Sequence, residues 1–282
     1  MKKIITLLLA LLVVFTLAGC NAAPADGGED VVEDKTITVG VNPVPHAEIL
    51  ENAVKAVLAD AGWDLQVVVY QDYVLPNENL VAGELDANYF QTLGYMNGQN
   101  DSHGWNLVAV KGVHIEPMGL YSDKYTDAAD LPDGASISVP NDEDNRTRAI
   151  EFLIAHGFLN AIDGELSANT INGNSEANPH NYQIVELEAA QLPLNLADVD
   201  ASVINGNYAL GAGLPASHPA LLVEEFDEET AIRRTNFIVV TAGNENSEKI
   251  QALVAAITSD DVQKYIEDTY KGAVITSFVD PQ

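Results

Sequence analysis

The stretch TITVGVNPVPHAEILENAVKAVLADAGWDLQVVVY, residues 36–70, decides the fold of this chain. Its first six residues are an alternating, β-branched strand, closed by the turn Asn42-Pro43-Val44-Pro45. Ile49/Leu50, Ala53/Val54 and Val57/Leu58 then recur at helix spacing until Gly62, and residues 65–70 (LQVVVY) read as the next strand. Strand, helix and strand with short connections imply a parallel βαβ unit with a right-handed crossover.

Further along, residues 76–82 read as a helix ended near Gly83, and residues 86–90 as a short strand. Residues 107–113 and 118–122 are strand-like. A new α/β run follows: strand 136–139, helix 145–156 stopped by Gly157, strand 183–188 and the apolar strand 201–204. Residues 237–241 (FIVVT) form the last strand. Two closing helices open at Ser247 and Ser259, each with an acidic residue in its first turn. The polar, Asn-rich residues 164–181 are expected to be a mobile loop. Two α/β runs in series suit two lobes around a cleft, a common place for a small-molecule site.

The N-terminus sets the compartment. Met1-Lys2-Lys3 precedes an apolar run over residues 4–18, short of the roughly 20 residues that a spanning helix needs. A basic start with a short apolar core is an export signal. It closes on Leu17-Ala18-Gly19-Cys20, which resembles the bacterial lipoprotein box, so residues 1–19 read as signal peptide and Cys20 as the lipidated N-terminus. Two or more acyl chains make a stable anchor. Residues 20–35 have no apolar periodicity and read as the lipidated cysteine with a flexible tether, holding the folded part about 20 Å from the membrane. The expected location is the extracytoplasmic face of the cell membrane.

With 42 Asp+Glu against 13 Lys+Arg the chain carries a formal charge of −29, or −31 once Lys2 and Lys3 are removed. Nucleic-acid binding is thereby disfavoured, since phosphate neutralisation needs clustered basic residues. The single Cys excludes a disulfide framework within the chain. No G-x-S-x-G, S-x-x-K, H-E-x-x-H or glycine-rich phosphate loop is present, so the chain reads as a non-enzyme without cofactor or metal, its six histidines as loose surface and loop residues, with a zinc site assembled from distant histidines as the less favoured alternative.

Two stretches carry binding chemistry. Residues 72–74 and 86–95 gather Tyr73, Tyr89, Phe90 and Tyr95 near the C-terminal ends of two strands, either as walls for an apolar ligand or as a core corner. Residues 140–148 (PNDEDNRTR) place Arg146 and Arg148 in what reads as a helix's first turn, against the helix dipole. Either they help bind a carboxylate there, or they pair with neighbouring acids on the surface.

These residues resemble the methionine-binding lipoproteins of bacterial methionine ABC importers. The resemblance runs from Thr36 to Phe278 and is carried by PVPHAEIL (43–50), DYVLPNENL (72–80), ELDANYFQ (84–91), LVAVKGVHIEPMGLYS (107–122), LPDGASISVPND (131–142), ELEAAQLPLNL (186–196), VINGNYAL (203–210) and YKGAVI (270–275). It implies an α/β, two-lobed periplasmic-binding-protein fold, type II-like, with two crossover strands near residues 117–122 and 236–240. Lobe 1 would be 36–118 plus 238–282, and lobe 2 residues 119–237. By the motif N-D-x-x-N-x-x-R, Arg148 would pair with the ligand carboxylate and Asn145 is the second Asn. Tyr73, Phe90 and Tyr95 match the aromatic positions around the methionine side chain. Asn205 and Asn236 match the positions that hydrogen-bond the amino-acid backbone, and His114 a lining position. Thr92 stands where the family usually has a pocket-lining His. That departure leaves a Met-containing dipeptide or another apolar amino acid as alternative ligands to L-methionine. A surface lipoprotein or adhesin with a vestigial pocket is the other alternative. The implied partners are an ABC permease with its ATPase subunits, with the protein itself a monomer touching the membrane only through its lipid.

Overall fold

The computed structural model describes residues 34–281. The expected signal peptide, Cys20 and nearly all of the tether lie outside the described residues. Lys35, the last tether residue, ion-pairs with Glu248 at 3.0 Å and stands over the Trp63 ring.

The βαβ reading of residues 36–70 matches the structure. β1 (Thr36–Val41) lies parallel to β2 (Asp64–Val69), in register from Thr36 opposite Asp64 to Val41 opposite Val69. Two wide π-type turns, Pro43–Ala47 and Leu50–Val54, lead into α1 (Lys55–Asp60) between them. Next come α2 (Leu75–Val81), β3 (Ala87–Thr92), α3 (Leu93–His103) and β4 (Leu107–Ile115). β5 (Gly119–Tyr121), β6 (Ser136–Pro140), α4 (Glu143–Ala155), α5 (Ala168–Ile171), β7 (Gln183–Leu187) and β8 (Ala201–Ile204) follow. Then come α6 (Gly206–Gly211), α7 (Leu214–Ser217), β9 (Leu222–Val223) and α8 (Glu228–Arg234). The chain ends with β10 (Thr235–Thr241), α9 (Glu248–Ile257), α10 (Asp260–Tyr270) and β11 (Ile275–Thr276).

These strands form two sheets, a larger one in the order β11-β4-β10-β3-β1-β2 and a smaller one in the order β7-β6-β8-β5-β9. Each has its own core, as α/β layers require. On the larger sheet Ile37, Val39, Val41, Ile238 and Val240 pack with Ile250, Leu253, Ile257, Val262 and Ile266 of α9 and α10. Phe237 and Val239, one residue out of phase, face the other side with Leu80, Leu85 and Met96. On the smaller sheet Ile137, Val139, Ala201 and Val203 pack with Ala149, Ile150, Phe152 and Leu153 of α4.

The chain leaves the larger sheet after Ile115 and enters the smaller at Gly119, within the crossing expected near residues 117–122. The return differs from the expectation. β10 lies wholly in the larger sheet, so Thr235, Asn236 and Phe237 belong there and the chain crosses back through residues 224–234. The reason is pairing: β10 inserts antiparallel between β3 and β4, and every residue from Thr235 to Val240 is buried.

Residues 164–181 also depart from the mobile loop expected. Asn172 exchanges two hydrogen bonds of 2.9 Å with the backbone of Ile184, and Asn178 does the same with Tyr182 at 2.7 and 2.8 Å. Ile171 and Ala177 are fully buried beneath them. Side-chain amides here replace the missing backbone ladder.

Candidate functional site

Tyr73, Phe90, Thr92, Tyr95, Asn145, Arg148, Asn205 and Asn236 line one narrow cavity between the sheets, with about 360 Å³ of space between atoms, open mouth included. Gln91, Glu116, Gly206 and Asn207 complete its lining. Wider depressions flank it, one over Val44, Gln71 and Leu194 and another over Asp72, Val74 and Glu188. Neither of those holds a basic side chain.

Strand geometry builds the apolar wall. Phe90 and Thr92 are two apart on β3 and share a side, whereas Tyr89 points the other way and is fully buried. Tyr89 therefore leaves the aromatic group expected from residues 86–95. The rings of Tyr73, Phe90 and Tyr95 stand 5.7–6.0 Å apart in tilted and edge-on arrangements. Tyr95 donates its hydroxyl to the Tyr73 carbonyl at 3.0 Å, and Tyr73 donates to Asn207 Oδ1 at 2.6 Å. The second of these bonds joins residues on opposite sides of the cavity.

Register builds the polar wall. Asn236 on β10 stands opposite Thr92 on one side and His114 on the other. Asn145 and Arg148 lie three apart on α4 and share its inner face. α4 begins at Glu143 with Asp142 as its N-cap, so Arg146 and Arg148 sit beyond the first turn in which the sequence reading put them. Part of the helix end is already taken by its own cap: Asp142 accepts the Asn145 N–H at 3.0 Å and is also bonded by the Asn145 Nδ2 group. Arg146 turns outward to Glu165 and Glu186, the surface pairing that the sequence left open, with other partners than its near neighbours.

Arg148 is 5% exposed and held by residues remote in sequence. Its Nε donates to the Glu224 carboxylate at 2.9 and 3.1 Å, and its Nη2 to Glu224 at 2.5 Å and to the Glu116 carbonyl at 2.9 Å. Burial opposes the charge, but Glu224, with Asp144 and Glu116 behind it, more than offsets it, and the guanidinium is held above its ordinary pKa. Nη1 has no hydrogen-bond partner among the described residues. Asn145 receives the Asn205 amide at 2.8 Å, which leaves Asn205 Oδ1 buried without a partner. Asn236 takes the His46 Nε2–H on Oδ1 at 3.1 Å, and its Nδ2 has no partner among the described residues. The cavity thus presents two donor groups, Arg148 Nη1 and Asn236 Nδ2, and one orphan acceptor.

His114 does not line the cavity. It is fully buried behind it, taking the Tyr89 hydroxyl on Nδ1 and giving Nε2–H to Glu116 at 2.6 Å. His46, 1% exposed, approaches the same Glu116 oxygen at 3.3 Å. Neither is the loose histidine that the scattered spacing suggested. Burial lowers the His46 pKa to about 4 and that of His114 to about 3, so both are neutral at pH 7. Nitrogen and oxygen atoms of His46, His114 and Glu116 converge within 4.8 Å, where His114 Nε2 is hydrogen-bonded to Glu116 and His46 Nε2 to Asn236.

Sequence reasoning passed over Glu116, Asn207 and Glu224. The usable signal for Glu116 was an acid between Ile115 and Pro117 at the end of an apolar strand. Nothing local marks Glu224. Gly206 is required by close approach, since a Cβ there would lie 2.7 Å from the Glu116 Cβ and 2.9 Å from the Pro117 carbonyl.

Two α/β lobes enclosing a polar and aromatic cavity define a periplasmic-type solute-binding protein. Residues 37–278 match the NlpA lipoprotein family. The chain is 38% identical over 244 residues to the membrane lipoprotein TpN32 of Treponema pallidum, covering 86% of this chain and 89% of that one. It is 35% identical over 268 residues to the D-methionine-binding lipoprotein MetQ of Escherichia coli strain K12, covering 94% of each. Its structure is similar to that of a nutrient-binding protein from Burkholderia cenocepacia bound to methionine, with a TM-score of 0.76 and 34% identity, covering 86% of this chain and all of that one. This chain belongs to the NlpA lipoprotein family.

Proposed function

We propose that this protein is a lipid-anchored, extracytoplasmic solute-binding protein that captures methionine and delivers it to an ABC permease with its ATPase subunits. The observation that carries the reading is the pattern of unpartnered polar atoms beside an aromatic wall. Arg148 Nη1 and Asn236 Nδ2 suit a carboxylate, and the buried Asn205 Oδ1 suits an amino N–H. Tyr73, Phe90 and Tyr95 suit a thioether, at roughly 0.3–1.5 kcal/mol per good ring contact. Thr92, in place of a bulkier residue, caps α3 by accepting the Tyr95 N–H and donates to Asp144 Oδ2 at 3.2 Å. No step here needs a nucleophile or a general base, and the protein acts by binding alone.

Closure of the lobes on the ligand supplies the signal to the transporter: the ligand touches both lobes and so favours the closed form. Tyr73–Asn207 and Tyr208–Gln71 are bonds that closure would make, at 2.6 and 3.1 Å. Anchoring through Cys20 accords with the absence, among the described residues, of any helix long and apolar enough to cross a membrane. The protein works as a monomer, with residues 36–118 and 238–282 forming lobe 1 save that β10 belongs to it from Thr235.

A thermal-shift screen of the twenty amino acids and D-methionine tests the reading. A ligand at a hundredfold excess over its Kd adds about 2.7 kcal/mol, so methionine must raise the melting temperature and leave no other amino acid ahead of it. Arg148→Ala should weaken methionine binding by about 2–5 kcal/mol in titration calorimetry, and unchanged affinity would overturn the site. Loss of labelled palmitate on Cys20→Ser tests the anchor.

A further inference from the structure

A second arginine is buried beside Arg148. Arg234, the last residue of α8, is 5% exposed, whereas its neighbour Arg233 faces solvent. Burial lowers the Arg234 pKa, and the charge of Arg148 lowers it further. An arginine placed against both burial and a like charge costs stability, and a well-packed apolar side chain would fill the same space without that cost.

The two arginines share Glu224. Its carboxylate takes Arg148 Nε at 2.9 and 3.1 Å and Nη2 at 2.5 Å. Arg234 Nε stands 3.7 Å from Glu224 Oε1, near enough for attraction between charges but too far for a hydrogen bond. Glu224 is pinned in place: its backbone N–H donates to the Met118 carbonyl at 2.9 Å, and its Oε2 accepts the Met118 N–H at 3.0 Å. Met118 lies where the chain leaves the larger sheet, and Glu224 and Arg234 bracket its return, so the shared carboxylate sits between the two crossings. The other partner of Arg234 is Glu151 at 3.2 Å, one turn beyond Arg148 on α4 and 49% exposed, so that pair is weakened by solvent. Asp144 acts on both guanidinium groups at longer range, and Glu116 on Arg148.

This sharing has a direction. Were Glu224 matched to Arg148 alone, the pair would be closed on itself and Nη1 would attract an anion in the cavity less strongly. With Arg234 on its other side, one pinned carboxylate is divided between two cations. We propose that Arg234 is a positioning residue for the ligand's carboxylate: by drawing on Glu224 it leaves the charge of Arg148 incompletely matched by protein, so that the cleft selects amino acids with a free carboxylate over their neutral amides. This rests on the reading of Arg148 as the carboxylate's partner and adds to it a residue that does not line the cavity.

L-Methioninamide keeps the shape and the ammonium group of L-methionine but carries no negative charge, and at pH 6.5 both α-amino groups are protonated. Titration calorimetry with methionine, and displacement of labelled methionine by the amide, test the proposal on the wild type and on Arg234→Gln. Wild type should prefer methionine by at least about 30-fold. Arg234→Gln should lose about tenfold for methionine and less than about twofold for the amide, since a charge acts across the gap only on another charge. Arg233→Gln removes the same charge from an exposed neighbour and should change neither affinity beyond about twofold. A folded Arg234→Gln protein with unchanged methionine affinity overturns the proposal. So does an equal loss for methionine and the amide, which would make Arg234 a structural support only. If that variant fails to fold, Glu151→Gln decides: it releases Arg234 toward Glu224 and should raise methionine affinity about twofold without altering the amide. No change, or a loss, then overturns the proposal. Equal wild-type affinity for methionine and its amide removes Arg148 from the carboxylate, and the site assignment falls together with this proposal. If another amino acid binds in place of methionine, the methionine reading falls and the same comparison is run with that amino acid and its amide. If no free amino acid binds, both readings fall.

Discussion

Glu224→Gln removes the counter-ion of Arg148 while preserving side-chain volume. The two side chains are 5% and 12% exposed, and the carboxylate takes three contacts from the guanidinium at 2.5–3.1 Å. The same carboxylate accepts the Met118 N–H at 3.0 Å, and Arg234 lies 3.7 Å away on its other side. Burial, followed by the charge of Arg148, already lowers the Arg234 pKa, so removing Glu224 leaves two guanidinium groups facing each other. A lost hydrogen bond to a charged group costs about 1.5–3 kcal/mol, and a broken buried pair about 3–5. Glutamine keeps one acceptor, which puts the expected loss near 3 kcal/mol. For a chain of this size each kcal/mol moves Tm by about 2–4 °C, so melting should fall by roughly 6–12 °C. Methionine would then supply the only carboxylate on Arg148, and its stabilising effect should be larger in the variant than in the wild type. Differential scanning calorimetry with and without methionine measures both quantities. A Tm within 2 °C of wild type, or an equal ligand-induced rise in the two proteins, is incompatible with Glu224 as the buried counter-ion that holds Arg148 for its ligand.

Stability should fall on acidification from pH 6.5 toward 4. The pKa values of His46 and His114 are lowered by burial to about 4 and 3, so the unfolded chain takes up protons across that interval and the folded chain does not. The raised Glu116 pKa offsets part of the loss at the acidic end. Urea midpoints between pH 7.5 and 4.5 check the sign, and a rise on acidification contradicts it. Gly94→Ala should weaken ligand binding a few-fold with little change in Tm. Its Cβ would lie 2.1 Å from Asp144 Oδ1, so Asp144 must swing aside and release its bond to Thr92 across the cleft, and calorimetry reporting wild-type affinity would dismiss that bond as a contribution to closure.

The elements legible in the sequence were those whose burial repeats with a local period. Residues 36–70 show this well: Ile37, Val39 and Val41 alternate, Val54 and Leu58 recur four apart, and all five are buried. α3 escaped the same test because LGYMNGQNDSH buries only Tyr95 and Met96. Its ends hold it, through the Thr92 cap and Gly104 in the left-handed region at φ 68°. Residues 164–181 misled for a related reason: asparagines that read as loop composition act as ladder substitutes for Ile184 and Tyr182.

At the site, residue type nominated the aromatic group with Tyr73, Phe90 and Tyr95 and a pair of arginines, and the resemblance to methionine-binding lipoproteins singled out Asn145, Arg148, Asn205 and Asn236. They could not tell which way each faces or what each leaves unpaired. By itself the sequence determined an acidic, two-run α/β chain with an aromatic group and an arginine motif as its candidate binding chemistry, and it made export the expectation. Only the tertiary structure decided that Arg146 faces outward and Arg148 inward, that Arg148 is matched by Glu224 76 positions later, and that His46 and His114 share one buried carboxylate. Periodicity records burial within an element. The charge balance of a cleft is set by side chains that meet across elements, and no local pattern records which of them will meet.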